Sequence, residues 1–554
     1  MHHGAYNRLP GSNSPSNSSG VILLSPRSYQ DAVSGCQALG EQLWAPELKT
    51  ASIQRNLNYL VYEGTANATS RFWIAALGDS SRVLDVLGVV TASPQGTQLP
   101  ALCTQTAPYS TNANMDTTEK WQVSVRANNE DLVGFRDRLS FRFAGIRYAP
   151  QPKRWTYPVP HVGAGGSVPA LKFGSQCTQS GNVGSEDCLF LNIWTPFLPD
   201  PSSEPRKADL KPVMFWIHGG AFTGGTGGDA TVDGGGLASR GDVVLVTINY
   251  RLTTLGFLAL DDGATNGNYG LADQVAALDW VRANIRSFGG DPDRITIFGQ
   301  SAGAASVRAL MGSPRALGKF AAAIPLSNLG GINYGTTYSR YYTIPQEVDV
   351  AARTILNATG CATAASRVDC LRAVPANTLA SLGTVARYLV VDGTYITGPE
   401  LPLGRGGPLP FALMMGITRD DGAPFISFPQ TADQAAYLAQ VGFAVPPAAL
   451  FPVPLGGNAT LNLYNASARL ATDGIFRCVD QATVRAALTA GRLEKVYYYE
   501  FDRSYQTTGW PGTDVCNPPR TAERPFGDPR LPYFKCHSGE LCVLSLSCPP
   551  SPFL

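Results

Sequence analysis

No apolar run in these 554 residues reaches the roughly 18 that a membrane-spanning helix needs, so no such helix is expected. Charge is scarce too, at 15% of residues, and balanced: 43 Lys and Arg against 42 Asp and Glu, net +1. Nothing in that balance points to nucleic acid or an anionic membrane as partner. It also argues against a chain held disordered by its charge, and a 44% hydrophobic content suits a well-buried globular core. At roughly 150 residues per domain the length allows three or four domains, although large α/β enzymes exceed that size as one unit. Histidine is rarer still: His2, His3, His161, His218 and His537 are the only five.

What is present begins with 11 cysteines, several close together in sequence, such as Cys177 with Cys188 and Cys361 with Cys370. Asn-X-Ser/Thr sequons start at Asn17, Asn67, Asn357, Asn458 and Asn465. The two together favour an oxidising, secretory compartment and a secreted glycoprotein. Against this, the first twenty residues are polar, and the apolar stretch Val21–Leu24 is too short for a signal-peptide core. The expectation is a secretory protein whose start is misassigned, the alternative being export by another route.

Three stretches of different texture follow one another. Residues 1–20, rich in Ser, Asn, Gly and Pro, read as a disordered tail. Residues 21–110 read as a separate accessory domain. Ser28–Leu39 and Ile53–Tyr62 have helical spacing, and Phe72-Trp73-Ile74 reads as a buried strand. Leu99–Gln105 carries Cys103, a partner for Cys36. This order vaguely resembles a C-type-lectin-like domain. No cluster of Asn, Asp and Glu has calcium-ligand spacing, so a disulfide-stapled accessory unit is preferred to a sugar-binding one. Ser110–Thr118 reads as a polar linker. From Trp121 to residue 554 short apolar strands alternate with helical stretches and Gly-rich turns: Val213–Ile217, Val243–Ile248, Leu271–Ile285, Ile295–Phe298. That alternation predicts an α/β fold with a mostly parallel sheet covered on both faces. Such sheets carry their sites outside the carboxyl ends of the strands.

The strongest chemical signal is Gly299-Gln300-Ser301-Ala302-Gly303, between the strand Ile295–Phe298 and the helical stretch Ala304–Leu310. G-x-S-x-G in that setting is a nucleophile elbow: a sharp turn projects the serine hydroxyl, and small neighbours let strand and helix approach. A second signal, His218-Gly219-Gly220-Ala221-Phe222, directly follows the strand Val213–Ile217. Small residues there let backbone amides reach a developing oxyanion, each donor being worth about 3 kcal/mol. Gly220 and Ala221, with the amide of Ala302, are the candidate donors. The base follows by elimination. In this class of elbow the triad runs serine, acid, histidine along the chain, and only His537 follows Ser301. Spacing alone leaves the acid open among Asp349, Asp392, Asp420, Asp421, Asp473, Asp480 and Glu500.

These motifs, with others, make the chain resemble the type-B carboxylesterase/lipase family, which includes cholinesterases and fungal esterases, from about Trp121 to Leu541. The resemblance rests also on Phe143–Ala149, Ser185–Asn192, Asn249-Tyr250-Arg251, Gly270–Gln274 and the stretch from Asn284 to Gly303. It implies an α/β-hydrolase fold and an esterase on small to medium esters, working through an acyl-enzyme with no metal or cofactor. Gly416–Gly422 matches the family's acid segment, which implies Asp421 as the acid, an aspartate where the family has glutamate. It further implies small-loop disulfides Cys177–Cys188 and Cys361–Cys370, and supporting roles for Ser327 and Gln300.

Departures narrow this. The loop Thr178–Asp187 holds no aromatic, and Gln300 stands where cholinesterases have an acid, which rejects a choline ester. The loop's shortness disfavours a large lid and long-chain triglyceride. After Leu541 the chain reads unlike the family, so a truncated C-terminus is expected, with Cys478, Cys516, Cys536, Cys542 and Cys548 left in unknown pairing. Two alternatives stand beside the esterase: a non-catalytic adhesion protein on the same fold, and an inactive truncated product. The sequence is silent on oligomeric state.

Overall fold

The computed structural model describes residues 5–8, 21–48, 53–62, 64–92, 96–200, 205–329, 340–403, 406–503, 514–525, 527–528 and 530–541. In the N-terminal part, β1 (Ala5–Arg8), β2 (Val21–Arg27), β3 (Arg71–Leu77), β4 (Ser80–Asp85), β5 (Val90–Ala92) and β6 (Leu99–Thr104) share one sheet. Side chains alternate across its faces, as strand geometry requires. Phe72 and Ile74 join Leu57 and Leu60 of the helix Ile53–Tyr62, while Trp73 points to the other face with Cys36 and Cys103. The helix Tyr29–Ala38 on that second face starts at Ser28, whose hydroxyl accepts from the Asp31 amide. Cys36 in that helix is bonded to Cys103 on β6.

Two expectations for this part need correction. Ala5–Arg8, within the stretch read as a disordered tail, is a strand. It pairs with β2 on one side and with β12 (Phe197–Leu198), from the larger half, on the other. Polar composition argued for disorder, but a strand edge offers unpaired backbone groups that any extended segment can satisfy. The rest of that tail, with Asn17, lies outside the described residues. Nor is the linker free: the Ser110 carbonyl accepts from Arg142 at 2.8 Å and Asn112 donates to the Asp229 carbonyl at 2.8 Å.

The larger sheet has eleven strands among the described residues. They are β7 (Gln122–Ala127), β8 (Glu130–Arg136), β9 (Phe141–Arg147), β10 (Ser167–Pro169), β11 (Phe190–Thr195), β13 (Lys211–Ile217), β14 (Val244–Ile248), β15 (Gly290–Gln300), β16 (Ala322–Leu326), β19 (Ala412–Thr418) and β20 (Val496–Phe501). The short β17 (Tyr342–Thr343) and β18 (Val390–Val391) pair apart from it. The central order is β11-β14-β13-β15-β16-β19-β20, parallel from β14 to β20 and antiparallel at β11. This is the mixed, mostly parallel sheet expected of an α/β-hydrolase. Its parallel strands are nearly continuous apolar runs because helices cover both faces; Val244–Ile248 is buried throughout. The chain passes outward from β13 to β14, then returns to β15 on the other side of β13. That reversal opens a crevice between the carboxyl ends of β13 and β15.

Cys177–Cys188, Cys361–Cys370 and Cys516–Cys536 are bonded, and Cys478 is unbonded and exposed. Cys542 and Cys548 lie outside the described residues. The sequon asparagines Asn67, Asn357, Asn458 and Asn465 are all exposed.

Candidate active site

Both motifs empty into the crevice. β15 ends at Gln300, and Ser301 turns the chain into the helix Ala302–Gly312 with φ +61° and ψ −122°. Positive φ in a non-glycine residue is strained and persists only where its surroundings hold it. Here the Ser301 amide donates to the Leu326 carbonyl on β16 at 3.0 Å. The small flanking residues are obligatory: a Cβ on Gly303 would sit 2.1 Å from the Ile217 carbonyl oxygen.

The loop after β13 lies against this turn, since a Cβ on Gly219 would meet Ser301 Cβ at 3.1 Å. Gly220, Ala221 and Phe222 all have positive φ, at +103°, +54° and +59°. The Gly220 carbonyl is turned into the loop, where it accepts from the amides of Thr223 (2.9 Å) and Gly224 (3.0 Å). Among the described residues the amides of Gly220 and Ala221 donate to no protein acceptor. The preceding His218 stacks on Tyr250, 4.4 Å between ring centroids, and burial lowers its pKa to about 4. It is a neutral packing residue that shapes the loop.

His537 approaches from the far end of the chain. It is buried, with the rings of Phe425 and Phe476 at 5.0 and 4.9 Å. Its Nδ1 lies 2.5 Å from Asp421 Oδ1, and Asp421 Oδ2 accepts from the Thr418 amide at 3.0 Å. With Nδ1–H donated to that carboxylate, Nε2 carries the lone pair and accepts from the Gln300 carboxamide at 2.9 Å.

The turn after β19 therefore separates two adjacent acids by direction. Asp421 faces the imidazole, whereas Asp420 accepts from the Lys535 amide at 2.8 Å and ties the two loops together. The other acids left open by spacing are elsewhere. Asp349 and Asp473 pair with Arg353 and Arg477 one helical turn away, and Glu500 also pairs with Arg477. Asp392 caps the turn Thr394–Ile396. Asp480 is buried behind the site, bonded to Asn328.

Sequence reasoning singled out neither Glu540 nor the company of Asp480. Glu540, three residues after His537, is buried, and burial followed by the charge of Asp421 pushes its pKa up to about 8; the Ser327 hydroxyl pulls the other way. Ser327 itself is buried at φ +54°, its amide donating to the Gly416 carbonyl at 2.8 Å. Among the described residues no group of three or more His, Cys, Asp and Glu is arranged to hold a metal ion.

Residues 124–441 match the carboxylesterase family. Bile salt-activated lipase of Bos taurus is 43% identical over 217 residues, 37% of this chain and 35% of that protein. Neuroligin-2 of Homo sapiens is 37% identical over 264 residues, 44% of this chain and 30% of that protein. Para-nitrobenzyl esterase of Bacillus subtilis (strain 168) is 35% identical over 314 residues, 52% of this chain and 60% of that protein. The chain thus spans less than two thirds of these relatives. Among solved structures, a Geobacillus stearothermophilus carboxylesterase superposes with a TM-score of 0.56 at 31% identity, covering 70% of this chain and 81% of that one.

Proposed function

This chain belongs to the carboxylesterase family, and from that premise we propose that it is a serine ester hydrolase with Ser301, His537 and Asp421 as its triad. The observation that carries the reading is the convergence of a strained serine turn with a buried histidine whose Nδ1 is 2.5 Å from a carboxylate. In the mechanism, an ester entering the crevice displaces Gln300 from Nε2, and the Ser301 hydroxyl takes its place. Ser301 Oγ attacks the carbonyl carbon as its proton passes to Nε2. Asp421 stabilises the resulting imidazolium without taking its proton. The amides of Gly220, Ala221 and Ala302 hold the oxyanion, which binds more tightly there than the ground-state carbonyl. The imidazolium protonates the departing alcohol, and water activated by the same Nε2 releases the acid from Ser301. Small and medium esters fit this reading, and no step needs a cofactor.

Residues 21–110 are read as an accessory unit of the same chain, and four disulfides with exposed sequons support passage through the secretory pathway. The second reading is a binding protein on this fold, favoured by the similarity to neuroligin-2. A fluorophosphonate probe separates the two. The esterase reading expects one covalent adduct on the folded parent and none on Ser301→Ala; a cooperatively melting parent that stays unlabelled supports the binding protein.

A further inference from the structure

Behind the His537–Asp421 pair lies a second buried contact that the reaction above leaves unused. Asp480, in the helix Cys478–Thr489, has no solvent exposure, and its Oδ1 accepts from the Asn328 carboxamide nitrogen at 3.1 Å. The opposite heads of the two groups, Asp480 Oδ2 and Asn328 Oδ1, are both buried acceptors with no hydrogen-bond partner among the described residues. Two enclosed acceptors on one bonded pair make poor company unless a proton lies between them. A protonated carboxyl supplies that proton: Oδ2–H donates to Asn328 Oδ1 while Asn328 N–H donates to Oδ1, and both heads are satisfied. We propose that Asp480 is held as a neutral acid, paired head to head with the Asn328 carboxamide, and that it is a positioning residue for the turn carrying Ser327 and Asn328 behind Asp421.

The surroundings agree. Burial drives the Asp480 carboxyl well above the usual carboxylate range; the Asn328 side chain opposes this, the charge of Asp421 reinforces it, and Arg308 and the Asn328 amide oppose it more weakly. Tyr498 and Tyr499 on the neighbouring β20 feel the same carboxyl, and burial raises both phenols, so both stay neutral beside it. Among the described residues Asp480 makes no ion pair. The Asn328 turn also bears on the candidate site, because the adjacent Ser327 amide bonds to the Gly416 carbonyl, at the start of the segment that ends in Asp421.

The test uses the full chain with Asp480→Asn. An Asn–Asn pair keeps both hydrogen bonds and carries no proton to lose. The sign is fixed by linkage: a carboxyl raised in the folded state keeps a proton that the unfolded chain releases above about pH 4, so the parent loses stability as pH rises. The melting temperature of Asp480→Asn minus that of the parent should therefore grow from pH 5 to pH 8. A difference that does not change with pH, a variant less stable throughout, or one that does not fold would each overturn the neutral pair. This arm needs no activity, so it stands if the ester-hydrolase reading fails. The second arm rests on that reading: Asp480→Ala should lower kcat on a p-nitrophenyl ester roughly ten- to a hundredfold with KM little changed, by analogy with other small misplacements at a site. Asp480→Asn should restore it. A loss in Asp480→Ala that Asp480→Asn does not rescue would remove the positioning role.

Discussion

Where the N-terminal sheet meets the larger one, Arg136 is enclosed with Glu41 at 2.6 Å, both side chains 1% exposed, and Arg136 also donates to the Leu39 carbonyl at 2.9 Å. Close by, buried Arg142 lies between Asp137 (2.6 Å) and Asp233 (2.8 Å). Behind the crevice the pattern is different: Asp421, Asp480 and Glu540 are buried together, and among the described residues the ion pair they make is that of Asp421 with His537. In the first region each acid touches a permanent cation, Arg142 serving both Asp137 and Asp233, and the Arg136–Glu41 contact ties the N-terminal part to the larger sheet. In the second, the cation exists only when the imidazole is protonated. Such an arrangement suits a proton that comes and goes: Asp421 gains most when His537 is charged, and the neighbouring carboxyls avoid competing by staying neutral.

That comparison can be broken at four points, taken from the largest expected effect to the smallest. Ser301→Ala removes the group the second region would serve, and should cut ester turnover by about 10⁴-fold or more, with the circular dichroism melt unchanged. Asp421→Asn should cost about 10⁴ in kcat, whereas Asp420→Asn, one residue away but bonded to the Lys535 amide, should keep turnover within about tenfold; equal losses at both positions would erase the distinction between them. Arg136→Met acts on the first region: it strands Glu41 in the interior and should cost about 3–5 kcal/mol in urea unfolding, most of which a second change, Glu41→Leu, recovers. Turnover per folded molecule should not follow it.

The smallest effect is a slope. Glu540, raised to about 8 by burial and then by Asp421, binds a proton in the folded state that the unfolded chain gives up. Its contribution is therefore most favourable below the ordinary glutamate range, about pH 4.3, and declines as pH rises toward 8. Glu540→Gln should flatten that decline and gain on the parent by on the order of 1–3 kcal/mol at pH 8, read from denaturant midpoints across pH.

Much of the candidate site was legible because its signals are local. Gly299–Gly303 needs small residues around one strained turn, and steric demand of that kind leaves a written pattern. His537 was legible for another reason, that only one histidine follows Ser301. Elements followed from periodicity: in the N-terminal part the stretch Ile53–Tyr62 is a helix over those same residues, and beside the site the strand read at Ile295–Phe298 extends to Gly290–Gln300. The longer strand was hidden because Asp291, Pro292, Asp293 and Arg294 break the apolar run that marked its centre. Asp421 was reached only through resemblance, since nothing in spacing tells two adjacent aspartates apart.

Local chemistry can be written in a few consecutive residues, and so the sequence by itself determined the elbow, the glycine loop and the alternation of strands and helices. Direction and company cannot be written that way. Only the folded chain decided that Asp421 and not Asp420 faces the imidazole, that Ala5–Arg8 joins a sheet, and that Asp480 and Asn328 meet in the interior. Those outcomes depend on contacts between residues that are not neighbours in the chain, most of them more than a hundred positions apart, and on the cost of enclosing a charge. That cost exists only once the surrounding chain has excluded water.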